Sequence, residues 1–332
     1  MTWTPNDLPD LTGTTAVVTG ANSGIGFETA NALARNGASV TLACRDTGAA
    51  QQAAERIRSI HRGVGGRRGF DSRKGANEDT AGVDVRRVDV GGVDVRVAEL
   101  DLSSLASVRR FAGAWEGPLN LLVNNAGVMR PSKWLATSDG FELQFGTNHL
   151  GHFALTGLLL TALKAGASPR VVTVASLAHH QGRADLLEGN PQQSYRPERA
   201  YGNSKLANLL FGAELQRRAT AHGSSLTSTI SHPGISATGL VEDPQGMGAN
   251  PVVRIASPWV MRVIFQSAAA GANPSLYAAT AATPGSYTGP SWLLESRGPV
   301  GPARLSALAQ DHELASRLWQ VSQDLTGVEY RW

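Results

Sequence analysis

A glycine-rich segment near the start of the chain constrains the fold more than any other feature. A predicted strand over residues 14–19 leads into Gly20-Ala-Asn-Ser-Gly-Ile-Gly26, and a helical pattern follows over residues 24–36. Glycines permit a tight turn and a close approach of the backbone to a pyrophosphate, whose negative charge the helix N-terminus favours. Because the strand and the helix flank these glycines, the segment predicts a dinucleotide-binding site in preference to a structural turn.

Short apolar runs then alternate with helical patterns, as in the βαβ units of a parallel sheet. The runs are nearly continuous, which is typical of strands that are covered on both faces. Strands are predicted over residues 14–19, 39–43, 93–99, 119–123, 170–175 and 226–231, with a seventh near Tyr287. Helices are predicted over residues 24–36, 47–60, 104–115, 140–165 and 201–222, with a helical tail near 306–324.

Composition indicates one domain over residues 1–332, since 42% of the residues are hydrophobic and no Pro/Ser/Gln-rich linker divides the chain. The start of the sequence has neither a basic nor an apolar leader segment, and no run approaches the roughly 18 apolar residues of a membrane span. We therefore expect a cytoplasmic protein with no membrane anchor. The single cysteine, Cys44, agrees with a reducing compartment.

Residues 61–92 break the alternating pattern and are predicted to be an insert before the third strand. Five basic residues and one acidic residue lie between His61 and Gly75. The net charge of this stretch exceeds the whole-chain net charge of +3. Phe70 is the only aromatic residue among these charges, so stacking on bases is not expected and we predict no nucleic-acid binding. Gly91-Gly92 favours a turn that would fold residues 83–90 back along the third strand. A flexible, solvated loop is the equal alternative.

The end of the second predicted strand bears on the choice between two nicotinamide cofactors. An acid at this point holds the ribose 2′-hydroxyl of NAD, whereas a base holds the 2′-phosphate of NADP. The chain has Cys44-Arg45-Asp46 here, and the guanidinium of Arg45 matches phosphate geometry, so we expect NADP(H) to be preferred. Asp46 leaves NAD(H) possible, and a solvated Arg45 without a role is the alternative.

Tyr201-Gly-Asn-Ser-Lys205 opens a predicted helix and carries the residues that we predict to be catalytic. The spacing of four residues places the phenol and the ammonium on one face. Tyrosine ordinarily has a pKa near 10, but a neighbouring ammonium and an oxidised nicotinamide both favour the phenolate. Tyr201 is therefore predicted to exchange a proton with a substrate oxygen while hydride moves to or from the nicotinamide.

Together with Thr19-Gly-x-x-x-Gly-x-Gly26, this pair resembles the short-chain dehydrogenase/reductase family. The retinol-dehydrogenase-like and WW-domain-oxidoreductase-like branch is the most similar, given Arg45 and the long separation between Ser176 and Tyr201. The resemblance implies a doubly wound α/β (Rossmann) sheet, mostly parallel, in the order 3-2-1-4-5-6-7 with the active site at the carboxyl ends of the strands. The other matching motifs are Asp101-Leu102, Asn124-Asn-Ala-Gly127, Asn148, Ser176 and His232-Pro-Gly234 with Thr238.

The resemblance also implies a role for each matching residue. Ser176 would hydrogen-bond the substrate carbonyl, Tyr201 would donate the proton, and Lys205 would tune Tyr201 while holding the nicotinamide ribose. Asn148 would connect Lys205 to water. The implied cofactor contacts are Gly20, Asn22, Ser23, Gly24, Ile25, Gly26, Arg45, Asp101, Leu102, Asn125, Ala126, Gly127, Tyr201, Lys205, Pro233, Gly234, Ile235 and Thr238.

The substrate and the assembly are less constrained by the sequence. Residues 236–284 are poor in charge and resemble the variable substrate lobe of the family, which suggests a lipophilic alcohol, aldehyde or ketone, although these residues could equally only cap the core. A homodimer or homotetramer through helices 140–165 and 201–222 is a family expectation. The alternative to an enzyme is an NADP(H)-binding regulator or scaffold of the same fold without turnover.

Two histidine pairs are candidate metal ligands. His149 and His152 lie three residues apart on a predicted helix, and His179-His180 follow Ser176. Neither pair has the further ligands that a zinc site requires, so no metal is predicted. His179 and His180 either line the substrate cleft or belong to an exposed loop.

Overall fold

Buried apolar strands form the centre of the structure, which is a computed structural model that describes residues 3–62, 92–129, 131–235 and 266–332. The eight strands of this part form one sheet in the order β3-β2-β1-β4-β5-β6-β7-β8. β1 to β7 are parallel, and β8 is antiparallel to β7. The strands are β1 Thr15–Thr19, β2 Ser39–Cys44, β3 Val95–Glu99, β4 Leu121–Asn124, β5 Arg170–Val174, β6 Thr227–Ser231, β7 Tyr287–Trp292 and β8 Arg297–Pro302.

The doubly wound fold and its predicted strand order are confirmed, and β8 extends the sheet beyond the seven predicted strands. The predicted hairpin over residues 83–90 lies outside the described residues. The helices are α1 Gly24–Arg35, α2 Thr47–Ile60, α3 Leu105–Gly113, α4 Leu143–Phe145, α5 Gly151–Leu158, α6 Leu160–Ala165, α7 Pro197–Ala221, α8 Ala268–Thr280 and α9 His312–Thr326.

Both faces of the sheet are covered, and the alternation of side chains along β1 shows how. Ala16 and Val18 face one hydrophobic cluster and Val17 faces another, and all three are fully buried. The first cluster includes Leu33 of α1, Ile57 of α2 and Leu276 of α8. The second includes Phe111 of α3, Phe153 of α5, Phe211 of α7 and Trp319 of α9. Such two-sided burial explains why apolar residues of β1 occur at consecutive positions and not only at every second one.

Two helix predictions were wrong in their boundaries. The helix predicted to begin at Tyr201 begins at Pro197, where proline suits the first helical position because its missing N–H would have no partner. The helix predicted over residues 140–165 is interrupted by a π-helical stretch, Gly146–Leu150, and again at Leu159 between α5 and α6. Asn148 therefore lies in a π-turn, an irregularity that is frequent at functional sites.

The terminal helix α9 covers the helices through which pairing with a second copy was expected. The ring of Trp319 lies 5.1 Å from Phe153 and 5.9 Å from Phe211, measured between centroids. Tyr330 follows the helix. Its ring is tilted against that of Trp319, with centroids 4.5 Å apart, and its hydroxyl donates to the carbonyl of Phe153 at 2.7 Å. These contacts within one chain cover α5 and α7, so the predicted oligomer stays a prediction with its expected surface partly covered.

The turn between β7 and β8 has an unusual backbone. Leu293, Leu294 and Glu295 have φ values of 49°, 56° and 64°, in the left-handed region, and Ser296 N donates to the Leu293 carbonyl at 3.2 Å. Two-residue turns with positive φ strongly favour Asn-Gly. The left-handed conformation costs roughly 1–2 kcal/mol for each residue other than glycine. The turn is thus built from residues that oppose its local conformation.

Replacing Trp319 with alanine should destabilise the protein, because the ring fills the space between α9 and the helices that carry the predicted catalytic residues. A loss of about 3–5 kcal/mol is expected in the free energy of unfolding, which urea denaturation followed by circular dichroism would measure. Leu325→Ala is the matched control, since Leu325 lies on the same helix and is 39% exposed. Its effect should stay within about 0.5 kcal/mol, and equal losses in both variants would contradict the assignment.

Candidate active site

The predicted site residues follow the carboxyl ends of four neighbouring strands. The glycine loop follows β1, Asn125 follows β4, Ser176 follows β5, and His232 follows β6. The order of the sheet reverses between β1 and β4, and open parallel sheets bind ligands at such a switch point. The fold therefore brings the loop and three of the predicted motifs to one edge.

The glycine loop packs against the segment that follows β4. Gly20 and Gly24 have positive φ values of 65° and 56°. A Cβ atom at Gly20 would lie 2.9 Å from Cβ of Ala126, and one at Gly26 would lie 2.5 Å from the side chain of Asn125. Only glycine permits this close approach.

The start of α1 fits a phosphate-bearing cofactor. Ser23 is the N-cap residue of α1, but its side chain makes no hydrogen bond to the helix. The N–H groups of the first turn are therefore not capped by this side chain. Helix N-termini of this kind bind anions. Cys44 lies beneath the loop beside the N–H groups of Ala21 and Asn22, and burial raises the pKa of its thiol to about 11. Cys44 is thus a neutral packing group here.

The hydroxyl of Thr19 joins the loop to two other parts of the site. It accepts from the backbone N–H groups of Asn125 and Ala126, both at 2.9 Å. It also lies 2.9 Å from Nε2 of His152, whose Nδ1 lies 2.9 Å from the carbonyl oxygen of Asn148. Since a carbonyl only accepts, Nδ1 carries the proton of the imidazole and Nε2 accepts from Thr19. Burial lowers the pKa of His152 to about 4, so the ring is neutral.

Asn148 is fully buried in the π-turn and bridges two segments. Its Oδ1 accepts from Val128 N at 2.8 Å, and its Nδ2 donates to the Val128 carbonyl at 3.0 Å and to the Ser204 hydroxyl at 2.9 Å. Ser204 precedes Lys205 on α7. The side chain of Asn148 therefore holds the segment after β4 against the helix that carries Tyr201 and Lys205.

Tyr201 and Lys205 lie on one face of α7 and are mostly buried. Nζ of Lys205 lies 5.8 Å from the centre of the Tyr201 ring and donates to the carbonyl of Val174 at 3.1 Å. It would lie 3.6 Å from a Cβ atom at Gly127, so this glycine keeps the space beside the ammonium open. Burial lowers the pKa of Lys205 to about 8, which leaves it charged at neutral pH for most of the time.

Ser176 begins a short 3-10 helix, Leu177–Gln181, that packs against α7. Its Oγ accepts from Ala178 N at 3.2 Å. A Cβ atom at Gly202 would lie 2.9 Å from the Ala178 carbonyl, which places this turn beside Tyr201. The structure thus brings Ser176 to the same end of α7 as the predicted catalytic pair.

The two histidines after Ser176 differ in their surroundings. His179 is buried, its Nδ1 donates to the Ser176 carbonyl at 2.8 Å, and its Nε2 accepts from Ser306 N at 3.3 Å. Burial lowers its pKa to about 4. His179 therefore fastens the turn to the segment after β8, whereas His180 is exposed.

The segment after β6 is held by the β7–β8 turn. Gly234 has φ 67°, its N–H donates to Nδ1 of His232 at 3.2 Å, and Ile235 N donates to the Ser296 carbonyl at 2.9 Å. Nε2 of His232 faces the Glu295 carboxylate at 3.4 Å. Pro233, Gly234 and Ile235 thus lie beside this turn, while Thr238 lies outside the described residues.

The residues predicted near the adenosine end are distributed as follows. Arg45 is exposed at the end of β2, and the Asp46 carboxylate accepts from Ala49 N at 2.9 Å as the N-cap of α2. Asp101 accepts from the backbone N–H and hydroxyl of Ser103 at 2.9 and 2.6 Å. Leu102 is buried. Contacts of these residues with a cofactor stay predictions.

Sequence reasoning missed Thr19, His152, Ser204 and Glu295 as parts of the site. A signal existed for His152, which lies four residues after Asn148 and so one helical turn away. Nothing local marks Ser204 or Glu295, since their partners come from distant segments. Within the described ranges, no three His, Cys, Asp or Glu side chains gather as metal ligands, and no helix combines the length and apolarity that would carry it through a bilayer.

Comparison with known proteins adds independent findings. The family model "short chain dehydrogenase" matches residues 14–67 and 74–245. Human retinol dehydrogenase 13 is 37% identical over 324 residues, which cover 96% of this chain and 86% of that protein. Human retinol dehydrogenase 12 is 38% identical over 325 residues, covering 97% and 88%.

Solved structures agree with this result. An uncharacterized protein from Mycobacterium paratuberculosis is 39% identical, covers 100% of both chains and superimposes with a TM-score of 0.76. The Pseudomonas aeruginosa RhlG/NADP complex, 23% identical with a TM-score of 0.57 over 84% of this chain and 94% of that one, shares the fold.

The chain belongs to the short-chain dehydrogenase family, as the fold, the glycine loop and the Tyr201/Lys205 pair indicated. It is therefore an oxidoreductase of the class that acts on CH–OH and C=O groups. Within the family it falls in the retinol-dehydrogenase-like branch.

Thr19→Val should weaken both folding and cofactor binding, because the Ala126 N–H loses its acceptor and the Asn125 N–H keeps only the Val123 carbonyl, at 3.0 Å. A loss of about 1–3 kcal/mol in the free energy of unfolding is expected. The dissociation constant for NADPH, measured by fluorescence titration, should rise at least fivefold as the loop shifts. Thr173→Val is the control, since this buried β5 hydroxyl has no hydrogen-bond partner in the described structure. Similar losses in both variants would show that Thr19 acts only through packing.

Proposed function

We propose that the protein is an NADP(H)-dependent oxidoreductase that interconverts a carbonyl and an alcohol on a lipophilic small molecule, with Tyr201 as the acid/base. One observation carries the proposal. Tyr201 and the charged Lys205 share a face of α7, with Nζ 5.8 Å from the Tyr201 ring, beside the turn that Ser176 begins. This arrangement places a proton donor, a cation and a hydroxyl at the carboxyl edge of the sheet.

In the reduction direction, each residue has a distinct task. A bound nicotinamide supplies the hydride. The Ser176 hydroxyl hydrogen-bonds the substrate carbonyl oxygen, and Tyr201 gives its proton to that oxygen as negative charge develops there. The ammonium of Lys205 stabilises the resulting phenolate, because an opposite charge nearby favours the ionised form.

The residues around the pair keep it in position. Asn148 holds Ser204, so it orients the helical turn that carries Lys205. The family resemblance is what supports its further proposed role in connecting Lys205 to water. Val174 accepts from Nζ at 3.1 Å, which directs the ammonium toward the edge between β4 and β5. Gly127 leaves space beside that ammonium for the ribose of the nicotinamide.

The surroundings of Arg45 support NADP(H) as the preferred cofactor. Asp46, the acid that could hold a ribose hydroxyl, already accepts from the N-terminus of α2. Arg45 is exposed and directly follows β2, the position from which a guanidinium can bind a 2′-phosphate. NAD(H) remains the possible alternative cofactor.

The substrate class rests on the relatives, which are named retinol dehydrogenases and so act on a lipophilic alcohol. We propose a lipophilic alcohol, aldehyde or ketone for this chain as well. The low charge of residues 236–284, which suggested it from the sequence, falls largely outside the described residues. The cytoplasmic location stays a prediction.

Tyr201→Phe should abolish turnover while the dissociation constant for NADPH changes less than about threefold. The measurement is a panel of lipophilic carbonyls and alcohols assayed with both cofactors, beside fluorescence titration of NADPH. Tyr277→Phe, on α8, is the matched control and should keep full activity. Undiminished turnover by Tyr201→Phe would refute the acid/base role. A wild-type protein that binds NADPH but stays inactive across the panel would favour the regulator instead.

Arg45→Gln should raise the KM for NADPH by tenfold or more and leave the KM for NADH nearly unchanged. The reason is the loss of a charge-assisted bond worth about 1.5–3 kcal/mol, which corresponds to roughly a factor of ten to one hundred. Arg35→Gln controls for the loss of one exposed positive charge. A wild-type enzyme that prefers NADH, or equal changes for both cofactors, would overturn the assignment of Arg45.

A further inference from the structure

Exposed large hydrophobic residues concentrate at one place on the described surface. Eight such side chains are exposed in the described ranges, and five of them lie on or beside the β7–β8 turn. Trp292, Leu293 and Leu294 are 62%, 70% and 86% exposed. Ile235 and Leu305 are the other two. Single exposed hydrophobic residues are ordinary, but a group of them marks a surface that binds a membrane or another protein.

The turn holds these side chains outward in a backbone conformation that their types disfavour. Glu295 anchors the turn from within, because its Oε1 accepts from Arg304 N at 3.0 Å and its other oxygen faces His232. A Cβ atom at Gly298 would lie 2.7 Å from the Trp292 ring, so the indole lies across the hairpin with its other side in solvent. Strained turns of this kind are retained where they serve a function.

The apolar group borders the candidate active site. Ile235 N donates to the Ser296 carbonyl at 2.9 Å, and Ile235 continues from Pro233 and Gly234, which are among the cofactor contacts implied by the family resemblance. Leu305 precedes Ser306, whose N–H is bound by His179 beside the Ser176 turn. A surface that received these side chains would therefore lie at the entrance to the cleft.

The charges beside the turn are basic where they are exposed. The Arg304 side chain is 81% exposed and lies 3.8 Å from the Glu295 carboxylate, which is 11% exposed and faces inward. An apolar tip beside an exposed arginine matches an anionic lipid interface, in which tryptophan occupies the headgroup level and arginine contacts the phosphates.

A lipid surface fits this feature better than a second protein. The turn offers three exposed side chains, Trp292, Leu293 and Leu294, whereas a stable dimer needs about 800 Å² on each partner. Lipid chains need no matching pocket. We propose that Trp292, Leu293 and Leu294 insert into a lipid surface, with Arg304 at its anionic headgroups, so that the cleft opens toward it. The proposal extends the lipophilic substrate class above, but lipid binding does not require turnover.

Co-sedimentation with vesicles tests the proposal on the full chain. The probes are vesicles of phosphatidylcholine alone and vesicles that also contain phosphatidylglycerol. Wild type should bind both and prefer the anionic ones, and Leu293→Asn with Leu294→Asn should lower the partition coefficient at least tenfold. Asparagine tolerates the left-handed conformation, so the turn is kept. Arg304→Gln should lower only the preference for anionic vesicles, by about fivefold.

Matched controls separate lipid binding from other effects. Ile60→Asn with Leu325→Asn removes two exposed hydrophobic residues from other helices and should leave vesicle binding unchanged. NADPH binding by every variant should equal that of wild type, which shows an intact fold. If vesicle binding follows this pattern while no substrate is turned over, the lipid surface stands and the proposed reaction fails.

Three results would overturn the lipid proposal. The first is a wild-type protein that binds neither kind of vesicle. The second is a double asparagine variant that binds vesicles as wild type does. The third is a wild-type dimer, measured by light scattering, that the double asparagine variant converts to a monomer, since the turn would then meet a second copy.

Discussion

One buried hydroxyl group, that of Thr19, is the interaction on which the candidate active site depends. It ends β1 at the point where the order of the sheet reverses, and it holds the backbone of Asn125 and Ala126. Through His152 it also reaches Asn148 in the π-turn. A single residue thereby fixes the distance between the glycine loop, the segment after β4 and the helical turn beside α7. The side chains around Thr19 have fixed positions because these three segments have fixed positions.

The parts of the fold that the sequence could predict are those determined by local patterns. β1, β2, β5 and β6 are buried at every position after the first because helices cover both faces, so they read as short runs of buried-type residues without knowledge of their partners. The glycine loop could also be predicted, because the close packing of Gly20 and Gly26 requires glycine at these two positions. The Tyr201/Lys205 pair followed from helical spacing, although Pro197 moves the start of α7 one turn earlier.

The parts that could not be predicted depend on tertiary contacts or on locally unfavourable residues. β8 contains Gly298, Pro299, Gly301 and Pro302, which oppose a strand, and it forms because an edge strand tolerates missing donors. The turn before it lacks the Asn-Gly signal of its backbone conformation. The π-turn arises where the His152 side chain donates to the carbonyl of Asn148, so a side chain enters the helical ladder. No local sequence pattern predicts such an insertion.

Burial lowers the pKa values of the basic side chains of the site, but it leaves them in different charge states at pH 7. It lowers the pKa values of His152 and His179 to about 4 and that of His232 to about 3, so all three rings are neutral at pH 7. The same cause lowers the pKa of Lys205 only to about 8. Lys205 therefore keeps its charge while the rings around the site do not compete with it.

The neutrality of His152 has a further consequence for Lys205. A charged imidazole there would repel the ammonium, since the Lys205 charge already lowers the pKa of His152 after burial has done so. The neutral ring also leaves Nε2 as an acceptor for the Thr19 hydroxyl, which a protonated ring would not provide. Burial of His152 thus maintains the hydrogen bond that holds the loop, while Lys205 keeps its positive charge in spite of its own burial. The proposed cofactor binding and the proposed proton transfer therefore draw on one buried polar network.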